Sequence, residues 1–334
     1  MSANTSRACI RHLATTLVCA ALLGLAGAPG PARAFALLGG VGLDDTARWD
    51  LKAVNGRGLE GGLQWSSEDA LFKSLVFAER DATQARLGEA ISRAFDVWQQ
   101  AAKADAAIYD VRFAQGGGAV EAFPSDGSPA DPKKPTQGAE ISLFARAADA
   151  KIVLGDGVAR DVFTRDSDGT REIGHTWIVT QAGRKPVSTA TAKPHNVGDT
   201  ILDADIYLNT ATTWTLDPKA NPGAQDLQAL LIHEIGHALG LAHPDEDRFF
   251  DTNGNPNDLM AIFASAPEKT AGLALRAHPA ANAFTPPAAM IADAQVRALA
   301  NDDLSGLRYL YPVPEPHALL LALSGLAALR WRRP

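Results

Sequence analysis

Residues 233–243 read His-Glu-Ile-Gly-His-Ala-Leu-Gly-Leu-Ala-His. His233 and His237 are four positions apart, so on a helix they project from one face, one turn apart, and can share a single metal ion. Glu234 points toward the same cleft without being a ligand. Gly240 can end the helix, because glycine adopts left-handed backbone at little steric cost. The chain then turns back and delivers His243 as a third ligand. Three neutral imidazoles leave one position of a tetrahedral zinc ion open for water, as in a catalytic site. Glu234 is placed to take that water's proton. The competing reading is a buried helix with stray histidines. The chain has only 8 histidines in 334 residues, and three of them fall at these offsets with the glutamate and glycine in place.

The run from Leu231 to His243 resembles the extended zinc signature of the metzincin proteases, and within them the matrixin branch. Other patches carry the same likeness. Asp203-Ala-Asp-Ile-Tyr-Leu-Asn-Thr210 with Trp214-Thr215 is similar to the matrixin strand and Trp-Thr segment that precede the zinc helix. Arg93-Ala-Phe-Asp-Val-Trp98 is similar to the first matrixin helix, and Asn301–Tyr311 to the closing helix of bacterial members. Together the patches run over residues 45–312, separated by unmatched loops. There are departures. Pro244 after the third histidine is more like the serralysin branch, yet Ile262 and Phe263 follow Met260 where that branch keeps a tyrosine ligand. No cysteine-containing propeptide switch is present, and only His175 and His195 stand upstream for a structural zinc.

The resemblance implies a secreted zinc metalloendopeptidase with His233, His237 and His243 on the metal and Glu234 as general base. The zinc would activate a water and polarise the scissile carbonyl, and Glu234 would pass the water's proton to the leaving amine. An extended substrate would pair with a strand edge upstream of the zinc helix, for which His175–Val179 is the best match. The family also places a methionine in a turn beneath the metal. Met260 is the candidate, and Met290 the other.

Around these residues, helical spacing of Leu87, Ile91, Ala94, Phe95, Trp98 and Ala102 predicts a helix from about Thr83 to Ala102, with Asp81 and Gln84 suited to its capped start. Tyr109–Phe113, Lys151–Leu154, His175–Thr180 and Ala204–Leu208 read as strands. Gly116–Gln137, rich in Gly, Pro, Ser and Asp, reads as an exposed loop. Asn221-Pro222 suits the cap and first turn of the zinc helix, whose core-facing stripe is Leu227, Leu231, Ile235 and Ala238. Strand and helix patterns mix without a linker. The expected fold is therefore one α+β, metzincin-like domain over 35–312: a twisted mixed sheet, an active-site zinc helix and a loop-rich lower subdomain.

Residues 1–34 read as a secretory signal peptide, with Arg7 and Arg11, an apolar stretch from Leu13 to Leu25, and a small-x-small cleavage site at Ala32-Arg-Ala34. Both cysteines, Cys9 and Cys19, fall inside it, so disulfides are not expected in the exported protein. At the other end, Val313-Pro-Glu-Pro316, the apolar run Ala318–Leu329 and Arg330-Trp-Arg-Arg333 resemble the PEP-CTERM sorting signal of Gram-negative bacteria. That likeness implies a short transmembrane helix over 313–334, transient inner-membrane contact, cleavage by an exosortase, and release to the cell surface or extracellular matrix.

The net charge of −7 becomes more acidic once both arginine-bearing ends are removed, which argues against nucleic acid as a partner. Protein or peptide substrates remain. Asp251–Asp258 alternates oxygen-bearing side chains that could wrap Ca2+, as less convincingly could Asp166–Gly169; a solvated turn is the other reading of each. The competing function is a non-catalytic, metal-stabilised surface or matrix protein on the same fold. Glu234, which a purely structural zinc does not need, argues against it.

Overall fold

The computed structural model describes residues 36–37, 47–52, 57–122, 137–153, 159–163, 171–182, 199–242, 297–299 and 301–313. The N-terminal segment with Cys9 and Cys19, the 166–169 and 251–258 runs, His195, His243, Met260, Met290 and the tail from Pro314 onward lie outside the described residues.

The framework is a six-stranded mixed sheet built from β1 (Ala47–Arg48), β2 (Leu63–Ser67), β3 (Phe113–Gln115), β4 (Ile141–Arg146), β5 (Gly174–Ala182) and β6 (Asp199–Asn209). β3, β2, β4 and β6 lie side by side in parallel. β1 is also parallel to β6 and pairs with its first residues. β5 runs antiparallel along nearly all of β6, and its outer edge carries no strand among the described residues. Parallel strands need crossover connections that cover the faces. β4 accordingly reads Ile-Ser-Leu-Phe-Ala-Arg, with its first five residues buried. A strand buried on both faces does not alternate, so sequence pattern does not single out β4.

Besides a single helical turn at Leu71–Ser74, the described residues form three longer helices: α1 (Gln84–Ala104), α2 (Leu227–Ala238) and α3 (Asn301–Leu310). The predicted stripe of α1 is buried throughout. Trp65 of β2 stacks on Phe95 of α1 at 4.9 Å, and the Trp98 indole donates to the Ile232 carbonyl of α2 at 2.7 Å. The start of α1 differs from expectation. Thr83 is the N-cap, accepting from the Arg86 amide at 3.2 Å, while Asp81 forms an ion pair with the Arg86 guanidinium. The predicted strand Tyr109–Phe113 also shifts, to Phe113–Gln115. Tyr109 donates instead to the Tyr311 carbonyl at 2.7 Å, and Val313 donates to Ala107 at 3.0 Å, so the C-terminal segment takes the pairing that strand would have used.

Within β6 the two faces meet different partners. Ala204, Ile206 and Leu208 enter the main core, while Tyr207 joins a second cluster with Phe144, Ile152, Val162 and Phe163. Asp203 and Asp205, also buried, are held by hydrogen bonds. Asp205 accepts from the Ala122 amide at 2.8 Å and from Tyr207 at 3.3 Å. Asp203 accepts from the Ala204 amide and faces Arg57. Burial beside a second carboxylate pushes the Asp203 carboxyl well above the usual range. Arg57 reaches four backbone carbonyls, including that of Leu202 at a β-bulge. Ala122 belongs to the stretch expected to be an exposed loop. Its amide bond to Asp205 instead draws residues 116–122 across the sheet.

The end of α2 is clamped from both ends of the chain. Gly240 has φ +98°, and a Cβ there would collide with the Ala47 carbonyl; glycine is required, as its place in the sequence suggests. The Trp49 indole donates to the Ala238 carbonyl at 2.8 Å. Buried Tyr311 donates to the Leu239 carbonyl at 2.7 Å and accepts from the Trp49 amide at 3.2 Å. Tyr311→Phe would strand both backbone groups in the interior, so we expect a loss of about 1–3 kcal/mol in folding stability, read as a lower denaturant midpoint with no loss of secondary structure.

Candidate metal centre and its carboxylate

α2 begins later than predicted. Asn221-Pro222 lies in a preceding turn, and Asp226 is the N-cap, accepting from the Ala229 amide at 3.2 Å. The Arg297 guanidinium grips both Asp226 oxygens at 2.8 Å. The helix is buried on every side, not only along the predicted stripe: within it only His237 is half-buried, while His233 and Glu234 have exposures of 0% and 1%.

The two histidine rings stand nearly perpendicular, at 89°, and their Nε2 atoms face each other 3.0 Å apart. His237 Nδ1 lies 2.8 Å from the Leu241 carbonyl. A carbonyl only accepts, so Nδ1 carries the proton and the neutral ring presents its Nε2 lone pair toward His233. Nitrogens about 2.0–2.1 Å from one tetrahedral zinc ion would stand about 3.3 Å apart. The pair therefore fits a shared cation with little adjustment, and two neutral imidazoles are a donor set that zinc accepts. Beyond Gly240, Leu241–Ala242 pairs with Ala36–Leu37, and His243 lies outside the described residues. Among the described residues no cluster of three metal-binding side chains occurs; the structure brings together His233 and His237 of the predicted set.

Glu234 faces the edge strand β5. Thr176 Oγ1 donates to its Oε2 at 2.6 Å, and a Cβ on Gly174 would come within 3.0 Å of its Oε1 and 2.7 Å of Leu230. Burial pushes the Glu234 pKa up to about 7, against the opposing pull of the Thr176 hydrogen bond. A carboxylate titrating near neutrality is suited to exchanging protons, and a cation alongside would draw that value down. His175, the next residue of β5, pairs with Glu172 at 2.8 Å, and Trp177 packs against the second cluster.

Gly174, Thr176 and the Asp226–Arg297 pair escaped sequence reasoning. Period-two alternation puts Gly174 and Thr176 on one face of a strand, but only the packing of β5 on α2 shows that this face meets Glu234.

Residues 156–258 match the family model for Matrixin, a span that includes β5, β6 and α2. Among curated proteins, none matches this chain. Over the matched span the chain is matrixin-like, which supports a metallopeptidase of the zinc-dependent matrixin kind. The mixed sheet with few helices is compatible with such a domain.

Gly174→Ala tests the packing of the site directly. Its methyl group must displace Leu230 or the Glu234 carboxylate, so stability of the zinc-free protein should fall by about 1–3 kcal/mol, measured by chemical denaturation. Unchanged stability would mean that β5 and α2 are not packed this closely.

Proposed function

We propose that this chain is a secreted zinc-dependent endopeptidase. The observation that best supports it is the convergence of the His233 and His237 Nε2 atoms on the same helix that buries the carboxylate of Glu234. His233, His237 and His243 would hold the ion. When bound, zinc supplies Lewis-acid polarisation of a water and of the scissile carbonyl. With Oε2 engaged by Thr176, Glu234 takes the water's proton at Oε1 and returns it to the leaving amine. An extended peptide pairs along the outer edge of β5 through main-chain hydrogen bonds, adjacent to the carboxylate because Thr176 belongs to the same strand. Met260 would form the turn beneath the metal, and Asp251–Asp258 is a candidate Ca2+ loop.

One set of proteins tests the mechanism. His237→Ala should lose zinc by metal analysis. Glu234→Gln should keep zinc but cleave casein about a hundred-fold more slowly or worse. Chelation should abolish activity and added zinc restore it. A zinc-loaded wild-type protein inert toward unstructured substrates would favour the non-catalytic surface role instead.

Export and sorting complete the proposal. The first 34 residues direct secretion, and the Pro314-Glu315-Pro316 tail holds the protein briefly in the inner membrane of a Gram-negative cell until an exosortase cuts it. In a host with the sorting machinery, the intact mass of the released protein should place its C-terminus near Pro316. Recovery of the tail through Pro334 would refute processing.

A further inference from the structure

We propose that Thr176 is the residue that positions the Glu234 carboxylate for proton transfer, a role that rests on the peptidase reading above. Thr176 Oγ1 lies 2.6 Å from Glu234 Oε2 and 3.1 Å from the Glu234 backbone carbonyl. A hydroxyl has one proton, and the shorter contact lies in the range of O–H hydrogen bonds to a carboxylate. The proton therefore goes to Oε2. One carboxylate oxygen is held while Oε1 faces Gly174, where the missing side chain leaves room for it.

The hold is stiff at both ends. β-Branching restricts the threonine χ1, and β5 is paired with β6 in register from Gly174 to Ala182, apart from one bulge. Glu234 is carried by a helix buried along its length. Among the described residues no other side chain bonds the carboxylate, so without the hydroxyl only packing is left to choose the rotamer of a buried glutamate with three rotatable side-chain bonds. The same strand that offers its outer edge to a peptide thus sets the carboxylate, so substrate backbone and base are registered by one element.

Thr176→Val removes the hydroxyl at almost constant shape. In the zinc-loaded enzyme we expect kcat to fall about ten- to a hundred-fold, the scale of a misplaced catalytic group, with KM and zinc content unchanged. Thr176→Ser should recover most of the loss, and Thr176→Ala provides a second variant if the valine protein folds poorly. Independently of turnover, the zinc-free protein should show non-additive denaturant midpoints across wild type, Thr176→Val, Glu234→Ala and the double variant. Additive midpoints would overturn the contact. Non-additive midpoints with wild-type kcat in Thr176→Val, or failure of serine to rescue, would overturn the positioning role. A wild-type enzyme inert when zinc-loaded would remove the peptidase reading and with it any catalytic role for Thr176, while the zinc-free cycle would still report whether the contact exists.

Discussion

Burying a carboxylate and an imidazole is unfavourable unless each polar atom finds a partner, and that constraint shapes everything around α2. His233 and Glu234 are as buried as the leucines beside them. The helix must therefore be matched at its side chains, its first amides and its last carbonyls. Asp226 and Arg297 serve the start, Trp98 the middle, and Trp49 and Tyr311 the final carbonyls. Each partner is rigid or itself held, so the histidines and Glu234 are presented from a fixed frame. Catalytic groups need this kind of support from the residues behind them.

All of those partners except Asp226 come from far along the chain. Trp49 and Trp98 precede the matrixin-like stretch of 156–258, and Arg297 and Tyr311 follow it. The matched segment carries the strand edge, β6 and α2 with its Asp226 cap, but not Trp49, Trp98, Arg297 or Tyr311. The domain is closed by segments near both ends, where Tyr109, Tyr311 and Val313 join backbone to backbone.

β6 links the frame to the rest of the sheet. Its apolar face supports α2 through the main core. Its acidic face is covered by residues 119–122 and pinned by Arg57, which also occupies the bulge carbonyl at Leu202. Slippage by one residue would exchange the two faces and put aspartates against leucines. The acidic alternation of Asp203-Ala-Asp205 thereby fixes the register of β5 beside the helix.

Local spacing determined much of this protein. The stripe of α1, the offset of His233 and His237, the need for glycine at position 240 and the strands around 175–180 and 204–208 all follow from backbone periodicity and sterics, which act over a few residues. Tertiary structure decided the rest because its causes are long-range. The caps moved to Thr83 and Asp226, since Arg86 engages Asp81 and Arg297 anchors Asp226. β4 emerged from a buried run that has no alternation to read. The strand expected at 109–113 gave way to pairing with residues 311–313. Thr176 met Glu234 across 58 positions of sequence, a meeting of strand and helix faces that depends on how they pack and not on any motif.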